Sequence, residues 1–150
     1  MSEATRILSL RIVLALVCIS HLVLGLGIML GGAGVLETLG ASYGVNHVPT
    51  DPQFLYILKP LGAYMLAISF LAGAAFYAPL QNRIAVDCVI LLLLVRVGQR
   101  VVFGSEAMHA FGISSGHLIA QSLFYFAFAA ALFIFRPRPE HAPVPAEPGA

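Results

Sequence analysis

Hydrophobic positions in this chain run together in long blocks that short polar segments separate. Four blocks, at 7–30, 54–78, 84–103 and 117–135, each have the length of about 20 residues that a membrane-spanning helix requires. None of them alternates between apolar and polar residues as a barrel strand does. The pattern predicts an all-α fold, an integral membrane four-helix bundle with antiparallel spans.

Composition points to the same class of protein. The chain is 59% hydrophobic and 10% charged, whereas a soluble domain is roughly half apolar and about a quarter charged. A net charge of +1 gives no basic surface that would favour nucleic acid as a partner. Because the chain is so apolar, the expected partner is the lipid bilayer. Cys18 and Cys88 lie alone in apolar runs, which favours neither a disulfide framework nor a zinc site.

Charge distribution predicts the orientation of the spans. The turn 79–83 is short, so the second and third spans are expected to be antiparallel neighbours. Of the eight lysines and arginines, Lys59, Arg96 and Arg100 lie toward one side, and the other five fall on the opposite side: Arg6, Arg11, Arg83, Arg136 and Arg138. The positive-inside rule places this side and both termini in the cytoplasm. We therefore expect a multi-pass protein of the bacterial inner (plasma) membrane.

The chain is expected to contain one membrane domain, residues 1–136, and a tail, residues 137–150. The tail is rich in proline, which can neither continue a helix nor build a core, and this predicts a disordered cytoplasmic segment. Within the first span, Gly27 and Gly31 form a small-xxx-small step that is typical of close helix packing in membranes.

Polar residues inside the spans predict a site in the outer half of the membrane. Arg96 and Arg100 are four residues apart on one helix face, and charges at such depth usually face a partner or a wet cavity. Counting depth along the four spans brings further side chains to the same layer or just above it: His21, Lys59, Gln99, His117 and Gln121. We expect this layer to bind an apolar anion, because arginine offers a planar donor fork to carboxylate or phosphate.

Two alternatives remain open for these cations. Lys59 and Arg100 could extend to the headgroup region with their stems in lipid. The arginines could also pair with acids of the outer segments 31–53 and 104–116, which we predict to be loops: Glu37, Asp51 and Glu106.

Other chemistry has weaker signals. Haem between helices needs two axial ligands, for which His21 and His117 are the only conceivable pair. No metal-ligand spacing occurs, and no nucleophile has a base and an orienting group nearby. The sequence predicts no catalytic residue and no metal ligand.

Several short motifs resemble the small four-span bacterial membrane proteins of the BphX-like and DoxX-like kind. They are His21-Leu-Val-Leu-Gly-Leu-Gly27, Leu58-Lys-Pro-Leu-Gly-Ala63, Arg96-Val-Gly-Gln-Arg100 and Phe111-Gly-Ile113. The resemblance implies a four-span fold and, through the DoxX-like relatives, an association with membrane quinone oxidoreductases.

The expected function is that of an uncharacterised membrane protein, either an accessory subunit in a complex with a protein partner or a binder of a small apolar anion. One alternative is a quinone- or haem-associated oxidoreductase subunit. The other is a small transporter, which would require a homo-oligomer because four spans are few for a monomeric carrier.

Overall fold

Helices are the only regular secondary structure in residues 2–46 and 48–137, the part of the chain that the computed structural model describes. They are α1 (Glu3–Leu30), α2 (Ala33–Ser42), α3 (Pro52–Tyr77), α4 (Arg83–Phe111) and α5 (Ser115–Phe135). The all-α prediction is confirmed for these residues. The predicted tail beyond Pro137, with Arg138, and His47 lie outside them.

Local capping residues determine where the helices begin and end. Ser2, Asp51 and Ser114 precede α1, α3 and α5, and each side-chain oxygen accepts a hydrogen bond from the backbone N–H three residues later. Helix α4 ends at Gly112, whose φ of 65° is left-handed and therefore favours glycine.

Both segments predicted as outer loops contain helix, which corrects the prediction. The segment 31–53 includes α2, and the segment 104–116 is helical as far as Phe111. Helix α4 bends at Phe103, where φ is −109° and ψ is 16°, and then continues. At Gly104, Leu118 of α5 packs into the space that a side chain would occupy. Glu106 and His109 are consequently helical residues.

The four long helices contact one another in the cyclic order α1, α3, α4, α5. Helices α1 and α3 approach most closely at Gly25 and Gly62, where a Cβ on Gly62 would lie 2.9 Å from the Gly25 carbonyl oxygen. The predicted packing glycines have a different neighbour: Gly27 lies against Leu39 and Gly31 against Val35, both in α2. The largest of the fully buried side chains in the described residues are Leu10, Leu14, Val86, Val89 and Leu132.

One end of the molecule gathers arginines around helix termini. The Arg6 guanidinium donates to the backbone carbonyls of Phe135 and Arg136 at the end of α5. The Arg11 guanidinium lies 3.4 Å from the last carbonyl oxygen of α3, and Arg136 forms an ion pair with Asp87 at 3.3 Å. Neighbouring long helices are therefore antiparallel. We call this end the basic end, defined by Arg6, Arg11, Arg83 and Arg136.

Helices α1, α3 and α5 are long and apolar enough to cross a membrane. Their outer faces leave large apolar side chains exposed, among them Leu8, Ile12, Phe70 and Leu123. Contact of such a surface with water is unfavourable, whereas contact with lipid is not. Helix α4 is not among these three, and its apolar run contains Asp87, Arg96 and Arg100. The described residues thus indicate a membrane protein with three clear candidate spans.

Candidate functional site

A cavity of about 410 Å³ lies at the end of the molecule opposite the basic end. Helix α2 and the segment after it cover one side, and α1, α3, α4 and α5 supply the others. Most of the wall is aliphatic or aromatic: Leu24, Ile28, Leu36, Leu39, Val45, Val48, Phe54, Leu58, Leu61, Met65, Phe111 and Ile113. A largely apolar concave site with a few polar groups is typical of small-molecule binding.

Two guanidinium groups interrupt this apolar wall. Arg96 and Arg100 both line the cavity because they are one helical turn apart on α4. The Arg96 Nη1 donates to the Tyr125 hydroxyl at 3.3 Å, and its Nη2 lies 3.1 Å from the Met65 sulfur. The Arg100 Nη2 donates to Gln121 Oε1 at 3.0 Å. All of these acceptors are neutral, and a thioether sulfur is a weak one.

No carboxylate balances either arginine in the described part of the chain. The ion pair found there joins Arg136 to Asp87 at the opposite end. Glu37 and Glu106 are exposed, and Asp51 is exposed and caps α3. Pairing with acids of the outer segments, one of the alternatives that the sequence left open, does not occur among these residues. Among the described residues, the cavity wall therefore carries positive charge without a carboxylate counter-ion.

Tyr125 is the side chain around which the two arginines are arranged. It is 6% exposed, and the guanidinium carbons of Arg96 and Arg100 lie 5.3 and 4.8 Å from its ring centroid. Both distances are within the range of a cation–π interaction, which stabilises a cation that has lost water. The ring thus holds two like charges near each other without neutralising them.

Tyr43, the residue that ends α2, closes a hydrogen-bonded chain between these groups. Its hydroxyl lies 3.3 Å from that of Tyr125, and its carbonyl oxygen accepts from Gln121 Nε2 at 2.8 Å. Burial, reinforced by Tyr125, raises the pKa of the Tyr43 phenol, so the hydroxyl stays protonated near neutral pH. The network therefore connects the end of α2 to Arg96 through Tyr125 and to Arg100 through Gln121.

The predicted polar layer separates into two groups in the structure. Arg96, Gln99, Arg100 and Gln121 line the cavity. Lys59 is exposed and is not part of the wall, although its neighbour Leu58 is. His117 is also exposed, and its imidazole lies against Gly44.

His21 is buried within α1 and does not line the cavity. Its Nδ1 lies 2.9 Å from the Val17 carbonyl oxygen, and its Nε2 has no hydrogen-bond partner among the residues that the structure describes. Nδ1 therefore carries the proton that the carbonyl accepts. Within the described residues, no group of three or more His, Cys, Asp or Glu side chains converges as a metal site would require.

Sequence reasoning missed Tyr125 and Met65 and treated Tyr43 only as a loop residue. A signal was available for Tyr125, because it lies four residues after Gln121 and hence on the same face of α5. No spacing rule could have brought Tyr43 to it, since the two are 82 residues apart in the chain.

Comparison with protein-family models, curated proteins and solved structures finds no match to this chain.

Proposed function

We propose that this chain is a four-span protein of the bacterial inner membrane that binds an apolar anion in its outward-facing cavity. The observation that carries the proposal is the pair Arg96 and Arg100, two cations in an apolar wall with neutral partners. Both guanidinium groups are half-buried, and withdrawing a cation from water costs free energy unless it is paired. An anionic ligand would supply the missing counter-charge, and apolar walls would cover the rest of it.

The proposed topology includes α4 as the fourth span. Its arginines line the cavity, and a charge that faces a cavity costs less in a membrane than one that faces lipid. The basic end would lie in the cytoplasm under the positive-inside rule, which also places both chain termini there. The cavity then opens on the outer side.

The chemistry of the site favours a carboxylate or a phosphate on a compact apolar body. Guanidinium groups bind such anions through paired, charge-assisted hydrogen bonds. A volume of about 410 Å³ suits a small molecule.

The family resemblance stays a prediction from the sequence, as do the accessory-subunit, quinone or haem, and oligomeric transporter alternatives.

Calorimetry on the full chain in lipid nanodiscs tests the proposal. The probes are naphthoate, decanoate and their neutral amides, and the variants are Arg96→Gln and Arg100→Gln. Lys59→Gln is the matched control, because it removes a cation that lies outside the cavity wall. Circular dichroism and size-exclusion chromatography verify that each variant is folded.

We expect at least one carboxylate to bind saturably and its amide to bind much more weakly. Each arginine variant should weaken binding about tenfold or more, since a charge-assisted hydrogen bond contributes roughly 1.5–3 kcal/mol. Lys59→Gln should leave the affinity unchanged. Equal binding of acid and amide, an equal effect of Lys59→Gln, or no saturable binding would refute the proposal.

A further inference from the structure

A second concave surface lies on the outside of the molecule between α4 and α5. This surface, the α4/α5 groove, has a volume of about 430 Å³. Its walls are Val97, Arg100, Val101, Gly104, Ser105, Met108, Leu118, Ile119, Ser122, Leu123 and Phe126. Several of these side chains are strongly exposed, including Val101, Ile119 and Leu123. Since α5 is long and apolar enough to span a membrane, the groove is open to lipid in the proposed topology.

Arg100 is the residue that the cavity and the α4/α5 groove have in common in the described part of the chain. Its guanidinium stacks on Tyr125 in the cavity wall and donates to Gln121, and the same side chain lines the groove. Gln121 is the one acceptor that it has among these residues, whereas a guanidinium carries five N–H donors. Donors are therefore left for a ligand at the junction of the two spaces.

We infer that the cavity is loaded from the bilayer through the α4/α5 groove, and that its ligand is a single-chain carboxylate amphiphile of the fatty-acid kind. The inference rests on the proposed function and adds the ligand class and its route. The carboxylate binds Arg100 while the alkyl chain lies along the apolar side chains of the groove. To enter the cavity, the tail would pass between α4 and α5 beside Arg100, the residue that lines both spaces.

Charge and size select this occupant over other lipids. A cationic side chain that lines an apolar groove favours an anionic headgroup over a neutral one. The cavity that the ligand must enter has a volume of about 410 Å³, which suits a drug-sized molecule and not a two-chain phospholipid.

The chain contains no tryptophan, so one introduced tryptophan reports on its own surroundings. Val101→Trp places the reporter in the groove at a position that is 76% exposed. Val102→Trp is the matched control, because the next residue of α4 is 67% exposed and lines neither space. Both variants are reconstituted in nanodiscs and titrated with a fatty acid that is brominated on its chain, which quenches tryptophan fluorescence on contact. Leu123→Trp repeats the measurement from the α5 side of the groove.

We expect saturable quenching with Val101→Trp and Leu123→Trp. Quenching of Val102→Trp should increase linearly with the amount of fatty acid in the membrane and should not saturate. Adding Arg100→Gln to the groove reporters should weaken the saturable part about tenfold, through loss of a charge-assisted bond. The brominated alcohol of equal length and a brominated phospholipid should quench all reporters in simple proportion to their amount.

Proportional quenching at every position would overturn the inference, and so would saturable quenching that does not depend on Arg100. Saturable quenching by the phospholipid would assign the groove to a bilayer lipid and would also overturn it. Each of these results leaves the proposed function standing if decanoate or naphthoate still binds in an Arg96-dependent manner, because calorimetry measures that property separately.

Discussion

Substituting Tyr125 separates the contribution of its hydroxyl from that of its ring. Tyr125→Phe removes the contacts to Arg96 and Tyr43, both at 3.3 Å. These distances are at the long end for hydrogen bonds, so we assign about 0.5 kcal/mol to each and about 1 kcal/mol in total. The ring remains, and with it both guanidinium stacks.

Tyr125→Leu also removes the two stacks, whose centroid distances are 4.8 and 5.3 Å. Each is worth roughly 0.5–1 kcal/mol at an exposed site and about 2 kcal/mol when desolvated. Because both arginines are only half-buried, we expect a further loss of about 2 kcal/mol relative to Tyr125→Phe. We expect the wild type to be the most stable, Tyr125→Phe to be less stable and Tyr125→Leu to be the least stable. The loss of stability from Tyr125→Phe to Tyr125→Leu should exceed the loss from wild type to Tyr125→Phe.

Unfolding by sodium dodecyl sulfate in mixed micelles, followed by far-ultraviolet circular dichroism, measures this order. Phe124→Leu is the control for the aromatic contact that Tyr125→Leu also loses, since the Phe124 ring packs edge-on against Tyr125 at 5.8 Å and stacks on no arginine in the described residues. If Tyr125→Leu is no less stable than Tyr125→Phe, the stacks contribute nothing. If Phe124→Leu costs as much as Tyr125→Leu, the loss reflects aromatic packing in general.

Two further predictions concern helix packing and pH. Gly62→Ala should lower the free energy of unfolding by about 1–3 kcal/mol, because its Cβ would lie 2.9 Å from backbone atoms, including the carbonyl oxygen of Gly25. Gly73→Ala, with its nearest contact at 3.5 Å, should be neutral or stabilising in the same titration, and equal losses would contradict the close approach. Burial raises the pKa of Tyr43, so its stabilising effect is present below the unfolded pKa of about 10 and is lost as the pH rises through the folded pKa. The wild type should therefore lose more stability than Tyr43→Phe above about pH 10, and parallel pH profiles would refute this.

Much of the helical content could be predicted from the sequence because long apolar runs have few other structures in lipid. The runs at 7–30, 54–78 and 117–135 correspond to α1, α3 and α5. Helix α2 was missed since its 10 residues follow two glycines and are too short to give a span signal. The part of α4 beyond Phe103 was missed because the apolar run ends there, although the helix continues to Phe111.

The candidate site was predictable in part. Arg96 and Arg100 stood out because charge inside an apolar run is costly wherever the helix lies. Depth along the spans also brought Gln121 to the same layer, and it does hydrogen-bond to Arg100. The same counting placed Lys59 and His21 in the layer, but Lys59 is exposed and His21 is buried within α1, away from the cavity wall.

The sequence by itself determined the class of the protein, the approximate positions of its apolar helices, and the depth of each polar residue along them. The tertiary structure alone decided which polar residues meet. The reason is that residue number gives height along a helix, whereas rotation about the helix axis depends on neighbouring helices. A helix that is apolar on all sides carries no polar face to fix that rotation. Packing therefore selected Arg96, Arg100 and Gln121 for the cavity. It also added Tyr43 and Tyr125, two residues that no local sequence pattern connects to each other.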